Sequence, residues 1–303
     1  MDKYKQNINF IALIGFSLSF LFHLFGLAVL YKVKMPMANQ KVITMNLAFA
    51  EMICSLFEAI IAGKILLGRN DFLLNFIALS TIYAYKFAML HLILDRFFDI
   101  YFHIRYSYYF TKRRMIAIYV FLWFTSAVFA TVFAVLVKQK HQFNIIMSTI
   151  IHSFLVLDGL IVVVAILTYI YLYTKVIKSD ERLPQSRRVV AKRRTTAKFR
   201  IPCLIGITYI VLNFSGSIMM SIFNEYHLTC KCRTLYGTAL CLIIIGIMTD
   251  AIIYIILQKD VRKFLRNLIV SKRMHERSMT TASASTIAPM LKHDRMTIRQ
   301  GRI

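Results

Sequence analysis

Residues 73–102 read LLNFIALSTIYAYKFAMLHLILDRFFDIYF, thirty residues without glycine or proline, with Lys86 near the middle and the pair Asp95-Arg96 near the end. About 20 apolar residues carry a helix across the hydrocarbon core of a bilayer, so this stretch is long enough to span. An arginine at the bilayer edge is costly unless paired or wetted, and its presence there reads as functional; the adjacent carboxylate of Asp95 is the obvious partner. Six further apolar stretches, at about 10–31, 42–67, 115–137, 144–174, 201–223 and 234–257, make seven spans in all. At 58% hydrophobic and 17% charged residues, with mean hydropathy +0.61, the 303-residue chain is too apolar for a soluble domain of its size. The expected fold is an all-α membrane protein, a seven-transmembrane helix bundle over 10–257, with a short amphipathic helix after span seven.

Lysine and arginine set the orientation, because positive residues near helix ends are retained on the cytoplasmic side. The segments 32–41, 103–114 and 175–200 and the tail after 257 hold 28 of the 38 Lys and Arg, which places residues 1–9 outside and the C-terminus in the cytoplasm of a multi-pass protein of the plasma membrane. The net charge of +24 follows from these inner segments. It reads as topology and as attraction to anionic membrane lipids, and nucleic acid is not an expected partner of so apolar a chain. No short apolar region with a small-residue cleavage site precedes span one, so span one is expected to act as its own uncleaved signal.

The inner segment 176–200, with Lys192-Arg193-Arg194, reads as a solvated, partly helical extension of the neighbouring spans, or more sharply as a docking surface. Residues 258–270 alternate basic and apolar residues at helical spacing, which suits a helix lying in the membrane interface. The polar, basic tail 271–303 is expected to be disordered. Its cluster Ser278, Thr280, Thr281, Ser283, Ser285 and Thr286 would, if phosphorylated, place negative charge in a positive tail and offer a site to a basic partner such as arrestin. Cys54, Cys203 and Cys241 lie within spans, whereas Cys230 and Cys232 lie in the last outer loop; the sequon at Asn213 is inside span six and is expected to go unused.

Trp123, the chain's only tryptophan, follows Arg96 by 27 residues; Ile100, His103 and Tyr106 lie between them. Span two carries Asn46-Leu-Ala-Phe-Ala-Glu51, span seven Asp250-Ala-Ile-Ile-Tyr254, and Val261-Arg262 follows. With Asp95-Arg96-Phe97, this set resembles rhodopsin-like G-protein-coupled receptors. That family has Asp-Arg-Tyr at the end of span three, an acid in span two and Asn-Pro-x-x-Tyr in span seven. The resemblance implies an activation switch built from Asp95, Arg96, Phe97, Tyr106, Asp250 and Tyr254, no cofactor, an extracellular ligand and a heterotrimeric G protein as partner.

Inside the membrane the buried polar core is expected to comprise Asn46, Glu51, Lys86, Asp158 and Asp250. His23 stands 28 residues before Glu51, where the family places an asparagine. Two buried carboxylates, Glu51 and Asp250, could hold a cation, as members of that family often hold sodium, yet Lys86 offers an internal positive charge instead. No metal site is built from the intramembrane histidines His23, His91 and His152, whose sequence separation gives no ligand spacing. Ten residues on a helix place Lys86 about 80° off the Arg96 face, which leaves two destinations for its ammonium: Glu51 with Asp250, or Asp158 in span five. The first would make Lys86 a built-in substitute for sodium. Glu58, two turns outward of Glu51, is the candidate contact for a charged ligand, with Ala78 and Ile82 of span three facing the same outer cavity. Amine receptors of the resembled family have aspartate at the position of Ala78, which disfavours an amine and favours a peptide or lipid.

The departures from the family also form a pattern. None of the four prolines, Pro36, Pro184, Pro202 and Pro289, lies deep within a span, so the usual kinks of spans five to seven have no proline to make them. The Cys-Trp-x-Pro of span six is absent, with Tyr209 to Phe214 in its neighbourhood, and Asp71 replaces the outer cysteine of span three. A short second outer loop and a Cys-x-Cys in the last outer loop resemble melanocortin receptors. A transporter would show repeated halves and broken spans, and a retinal protein would need a lysine in span seven; this sequence has neither. A non-signalling seven-helix scaffold or a chemosensory receptor is the alternative reading.

Overall fold

The computed structural model describes residues 3–33, 38–69, 72–102, 105–138, 143–181, 203–226, 233–257 and 261–267. Among the described residues, seven helices are long and apolar enough to cross a membrane. They are span one (Lys3–Lys32), span two (Ala38–Leu66), span three (Phe72–Phe102), span four (Lys112–Lys138), span five (Phe143–Glu181), span six (203–226) and span seven (Arg233–Leu257). A single short helix, Tyr106–Tyr109, lies between spans three and four, and no strand occurs among the described residues. Helices are what an apolar chain must form in lipid, where each backbone N–H and C=O needs an internal partner. The seven-helix bundle expected from hydropathy is the fold.

Spans one, two, four, five, six and seven close a ring in that order, and span three threads its middle against spans two, four and five. Burial shows the same arrangement: 56% of the apolar window of span three is buried, against 22% for spans four and five. The outer faces of those two carry Phe121, Phe124, Val132, Val163, Leu167 and Ile170 toward the lipid. Inside, Leu47, Met89, Leu92, Met115, Ile161, Ile205, Tyr209 and Ile247 join spans two to seven in one apolar core.

Helix ends are tied locally. Lys41, at the start of span two, donates to the carbonyls of Tyr31 and Val33 at 2.8 Å each, satisfying acceptors left open at the end of span one. Span two stops at Gly68, whose φ of 69° is left-handed. Its N–H bonds to Ile65 O at 3.0 Å and that of Arg69 to Lys64 O at 2.9 Å, a Schellman closure that favours glycine at this position. Span five continues to Glu181, past the apolar limit near 174. Its 39 residues extend about 58 Å, nearly twice the roughly 30 Å hydrocarbon core, so one end projects beyond the membrane.

In span six the helix widens to a π turn at Tyr209–Phe214 before resuming as α-helix over Ser215–Tyr226. Sequence reading found no proline to kink this span, and the π turn is a local irregularity of a different origin. The chain divides into two compact units, 1–258 and 259–303. Within the second, 261–267 is helical, with Arg262, Lys263 and Arg266 exposed and Phe264 and Leu265 half-buried. Asp71, His103, Cys230, Cys232, the four prolines, the basic segment 182–200 and the Ser/Thr-rich tail lie outside the described residues.

Candidate functional site

Three polar clusters sit in the bundle, one at the end of span three and two deeper in. At the end of span three, Arg96 and Asp95 are both buried, and Arg96 Nη2 lies 2.7 Å from Asp95 Oδ2. The short helix Tyr106–Tyr109 brings Tyr106 back over this pair, where its hydroxyl donates to Asp95 Oδ1. Burial, and then the negative charge of Asp95, push the Tyr106 phenol above its ordinary value, so it stays a protonated donor. Tyr119 of span four is buried near the same carboxylate, with His91 edge-on to its ring at 5.0 Å. Arg96 Nε is buried with no hydrogen-bond partner among the described residues. Phe97 does not join the ion pair: it stacks on Tyr101 at 5.9 Å and leans on Tyr171 of span five at 5.5 Å. Asp99, one turn beyond Asp95, is also buried; a third charge in five residues of an apolar span was the signal for it. The side chains of Ile100 and Tyr254 lie outside the described residues.

Near mid-membrane, Lys86 extends to span five. Its Nζ lies 2.5 Å from Asp158 Oδ1, and the aliphatic stem delivers the ammonium over the Phe154 ring at 5.4 Å. Asp158 is fully buried and accepts two more hydrogen bonds from span six: Tyr209 donates to Oδ1 and Ser217 to Oδ2. One carboxylate thus joins spans three, five and six. A buried ion pair persists only when its remaining lone pairs are satisfied, and the two hydroxyls provide that. Beside it, Tyr83 packs among Phe87, Phe129, Phe133 and Phe154, and its hydroxyl hydrogen-bonds Ser153 Oγ at 2.6 Å.

The third cluster contains Glu51 and Asp250, which lie against each other between spans two and seven, both fully buried. His23 of span one joins them: Nδ1 is 3.3 Å from Glu51 Oε2, and Nε2 is 3.0 Å from Ile247 O. Thr208 Oγ1 reaches Asp250 Oδ1 at 3.2 Å from span six. Of the two destinations open to Lys86, its ammonium takes Asp158 and not Glu51 with Asp250, so it does not neutralise these carboxylates. Asp250 is accordingly a member of this mid-membrane cluster, with Glu51 and Thr208 as its neighbours. Both Glu51 oxygens and Asp250 Oδ2 lack a well-formed hydrogen bond among the described residues. No group of three or more metal-ligating side chains occurs among the described residues.

Two other expected sites change character. Asn46 is only half-buried and belongs to none of these clusters; its Oδ1 accepts from Trp123 Nε1 at 3.2 Å, joining spans two and four. Ala78 is buried, its carbonyl accepting from Thr81 at 2.8 Å. Ile82 and Glu58 are half-buried, and Glu58 lies close enough to Tyr236 of span seven to interact electrostatically. Tyr236 in turn packs on Phe223 of span six at 5.2 Å.

Sequence reading did not find Tyr209 and Ser217 as partners of Asp158. Nor did it find Asn213, which is buried so tightly against span seven that a Cβ built on Gly246 would lie 2.6 Å from its Nδ2. That packing also makes the Asn213 sequon inaccessible. The available signal was the run of hydroxyl and amide groups, Thr208, Tyr209, Asn213, Ser215 and Ser217, on an otherwise apolar span. No family model matches the chain, and a search of curated proteins finds no match to it. What the geometry establishes is a seven-helix membrane protein with a buried arginine–carboxylate pair at one end of its central helix.

Proposed function

We propose that this chain is a receptor of the rhodopsin-like, G-protein-coupled type, lying in the plasma membrane with its N-terminus outside. The observation that carries the reading is the Asp95–Arg96 pair, held by Tyr106 and buried at the end of the central span. A buried charge pair with an arginine atom left over, at the edge of the membrane, suits a lock that opens. In the resting state Asp95 neutralises Arg96. Agonist binding favours a second arrangement in which Arg96 is released, Tyr254 turns inward and span six moves outward to admit a helix of the G protein. The ligand must bind the two arrangements differently to shift them, and a coupling of about 1–3 kcal/mol is ordinary.

The ligand enters from the outer face, where Glu58 and Tyr236 offer a carboxyl group beside an aromatic one. A peptide with a basic side chain, or a lipid with a basic headgroup, meets that chemistry. Ala78 offers no carboxylate to an amine. The basic inner segments meet anionic lipid, and the Ser/Thr-rich tail serves arrestin after phosphorylation.

The deciding experiment is nucleotide exchange on a panel of heterotrimeric G proteins by the purified chain in lipid nanodiscs. Basal exchange above the empty-disc level, raised by Asp95→Asn and abolished by Arg96→Ala, is expected. Exchange at the empty-disc level for every G protein, in the wild-type chain and in Asp95→Asn alike, would overturn the proposal.

A further inference from the structure

The π turn and the Asp158 carboxylate are two sides of one device. Tyr209 is the first residue of the π turn and Ser217 lies just beyond it, eight residues on. At about 100° per residue, eight residues of α-helix would leave them roughly 80° apart around the axis, and they would not share a partner. A π turn absorbs one residue, so the pair behaves as though seven residues apart, and about 20° separates them. Both hydroxyls then reach the same carboxylate, one on each oxygen. The extra residue is what permits the double contact.

The turn is anchored to two neighbouring helices. On one side Thr208 lies on Asp250 of span seven at 3.2 Å; on the other Ser217 is bound to Asp158 of span five. Asn213, within the turn, fills the space above Gly246. If the turn relaxed to α-helix, one half of span six would rotate by about 100° against the other, and the anchors could not all survive. Lys86 supplies the charge that holds Asp158 in place as an acceptor on both oxygens.

We infer that the Lys86–Asp158 pair is a register lock on span six: with the pair intact, Tyr209 and Ser217 hold the π turn, and when the pair opens the turn relaxes to α-helix and rotates the 203–208 segment. Lys86, Asp158, Tyr209 and Ser217 are positioning residues in this scheme. The rotation supplies the rearrangement of a span that has no proline hinge. Its signalling consequence rests on the receptor reading, but the rotation itself is read without a G protein.

The native thiols provide the readout. Cys203 is half-buried at the start of the segment that rotates, near Tyr169 of span five, whereas Cys54 is buried on span two and Cys241 is on span seven. Maleimide labelling of the full chain in nanodiscs, read site by site by mass spectrometry, is to be compared across wild type, Lys86→Met, Tyr209→Phe, a deletion of Leu212 from the π turn, and that deletion combined with Lys86→Met. The expected result is a change of threefold or more in the Cys203 rate for Lys86→Met and Tyr209→Phe, with Cys54 unreactive and Cys241 unchanged. The Leu212 deletion removes the extra residue while keeping Tyr209 and Ser217 on one face, so it should label as wild type and cancel the effect of Lys86→Met. Wild-type labelling of Cys203 in both Lys86→Met and Tyr209→Phe overturns the inference, as does an effect of Lys86→Met that persists in the deletion background. Should Lys86→Met expose Cys54 and so prove misfolded, Tyr209→Phe, which removes one oxygen, decides alone. Failure of this lock leaves the exchange assay untouched, and failure of the exchange assay leaves this labelling pattern untouched.

Discussion

Substituting Asp158 by leucine strands a charge. The Asp158 side chain is fully buried and that of Lys86 is 8% exposed, so neither has water to replace its partner. Removing one member of such a pair leaves an uncompensated ammonium, which costs about 3–5 kcal/mol, whereas replacing both by apolar residues of similar volume is neutral or stabilising. The Tyr209 and Ser217 hydroxyls lose their acceptor at the same time, which moves Asp158→Leu toward the upper end of that range. At roughly 2–4 °C per kcal/mol for a domain of this size, the midpoint of thermal unfolding should fall by about 6–20 °C. Lys86→Met/Asp158→Leu should recover most of that loss. A thiol-reactive dye in detergent measures it, because Cys54 is buried and becomes reactive only as the bundle opens. If the double variant unfolds at or below the temperature of the single one, the pair is not the electrostatic unit described here. A single variant within 2 °C of wild type would refute the burial argument itself.

Four further outcomes follow from particular contacts. Gly246→Ala should destabilise by about 1–3 kcal/mol, because its Cβ would meet Asn213 Nδ2 at 2.6 Å, while Gly159→Ala, with open space around it, should be neutral or stabilising in the same melting assay. Trp123→Phe keeps an aromatic ring against Phe49 and removes the N–H donated to Asn46; a loss of about 0.5–1.5 kcal/mol is expected, and Asn46→Leu should shift the emission of this single tryptophan. Gly68→Ala places a side chain at φ 69° in open space, so only backbone strain is felt, roughly 1 kcal/mol. Lys41→Ala removes both donors to the end of span one and should raise hydrogen exchange at residues 30–33 while leaving the centre of that span protected.

The number of spans was written in hydropathy, because partition into lipid depends on local composition that a window of about 20 residues captures; the helix ends were not, since helices such as Lys3–Lys32 and Phe143–Glu181 run past their apolar stretches. The Asp95–Arg96 contact was equally local, since adjacent side chains at a helix end need no tertiary information to meet. Helical geometry also narrowed Lys86 to two destinations, by an angle that depends only on a ten-residue separation. Choosing Asp158 over Glu51 was beyond it, because that choice depends on how spans two, three and five are rotated about their own axes, and side chains from all three set those rotations together. The same holds for His23 against Glu51. Least legible was the π turn. It is no property of residues 209–214 alone: it exists where Tyr209 and Ser217 find one carboxylate on span five while Thr208 and Asn213 are held by span seven. Composition and periodicity thus decided what enters the membrane and which charges go with it; only the packed bundle decided which charges meet, because partner choice depends on axial rotation and register, and these are settled between helices.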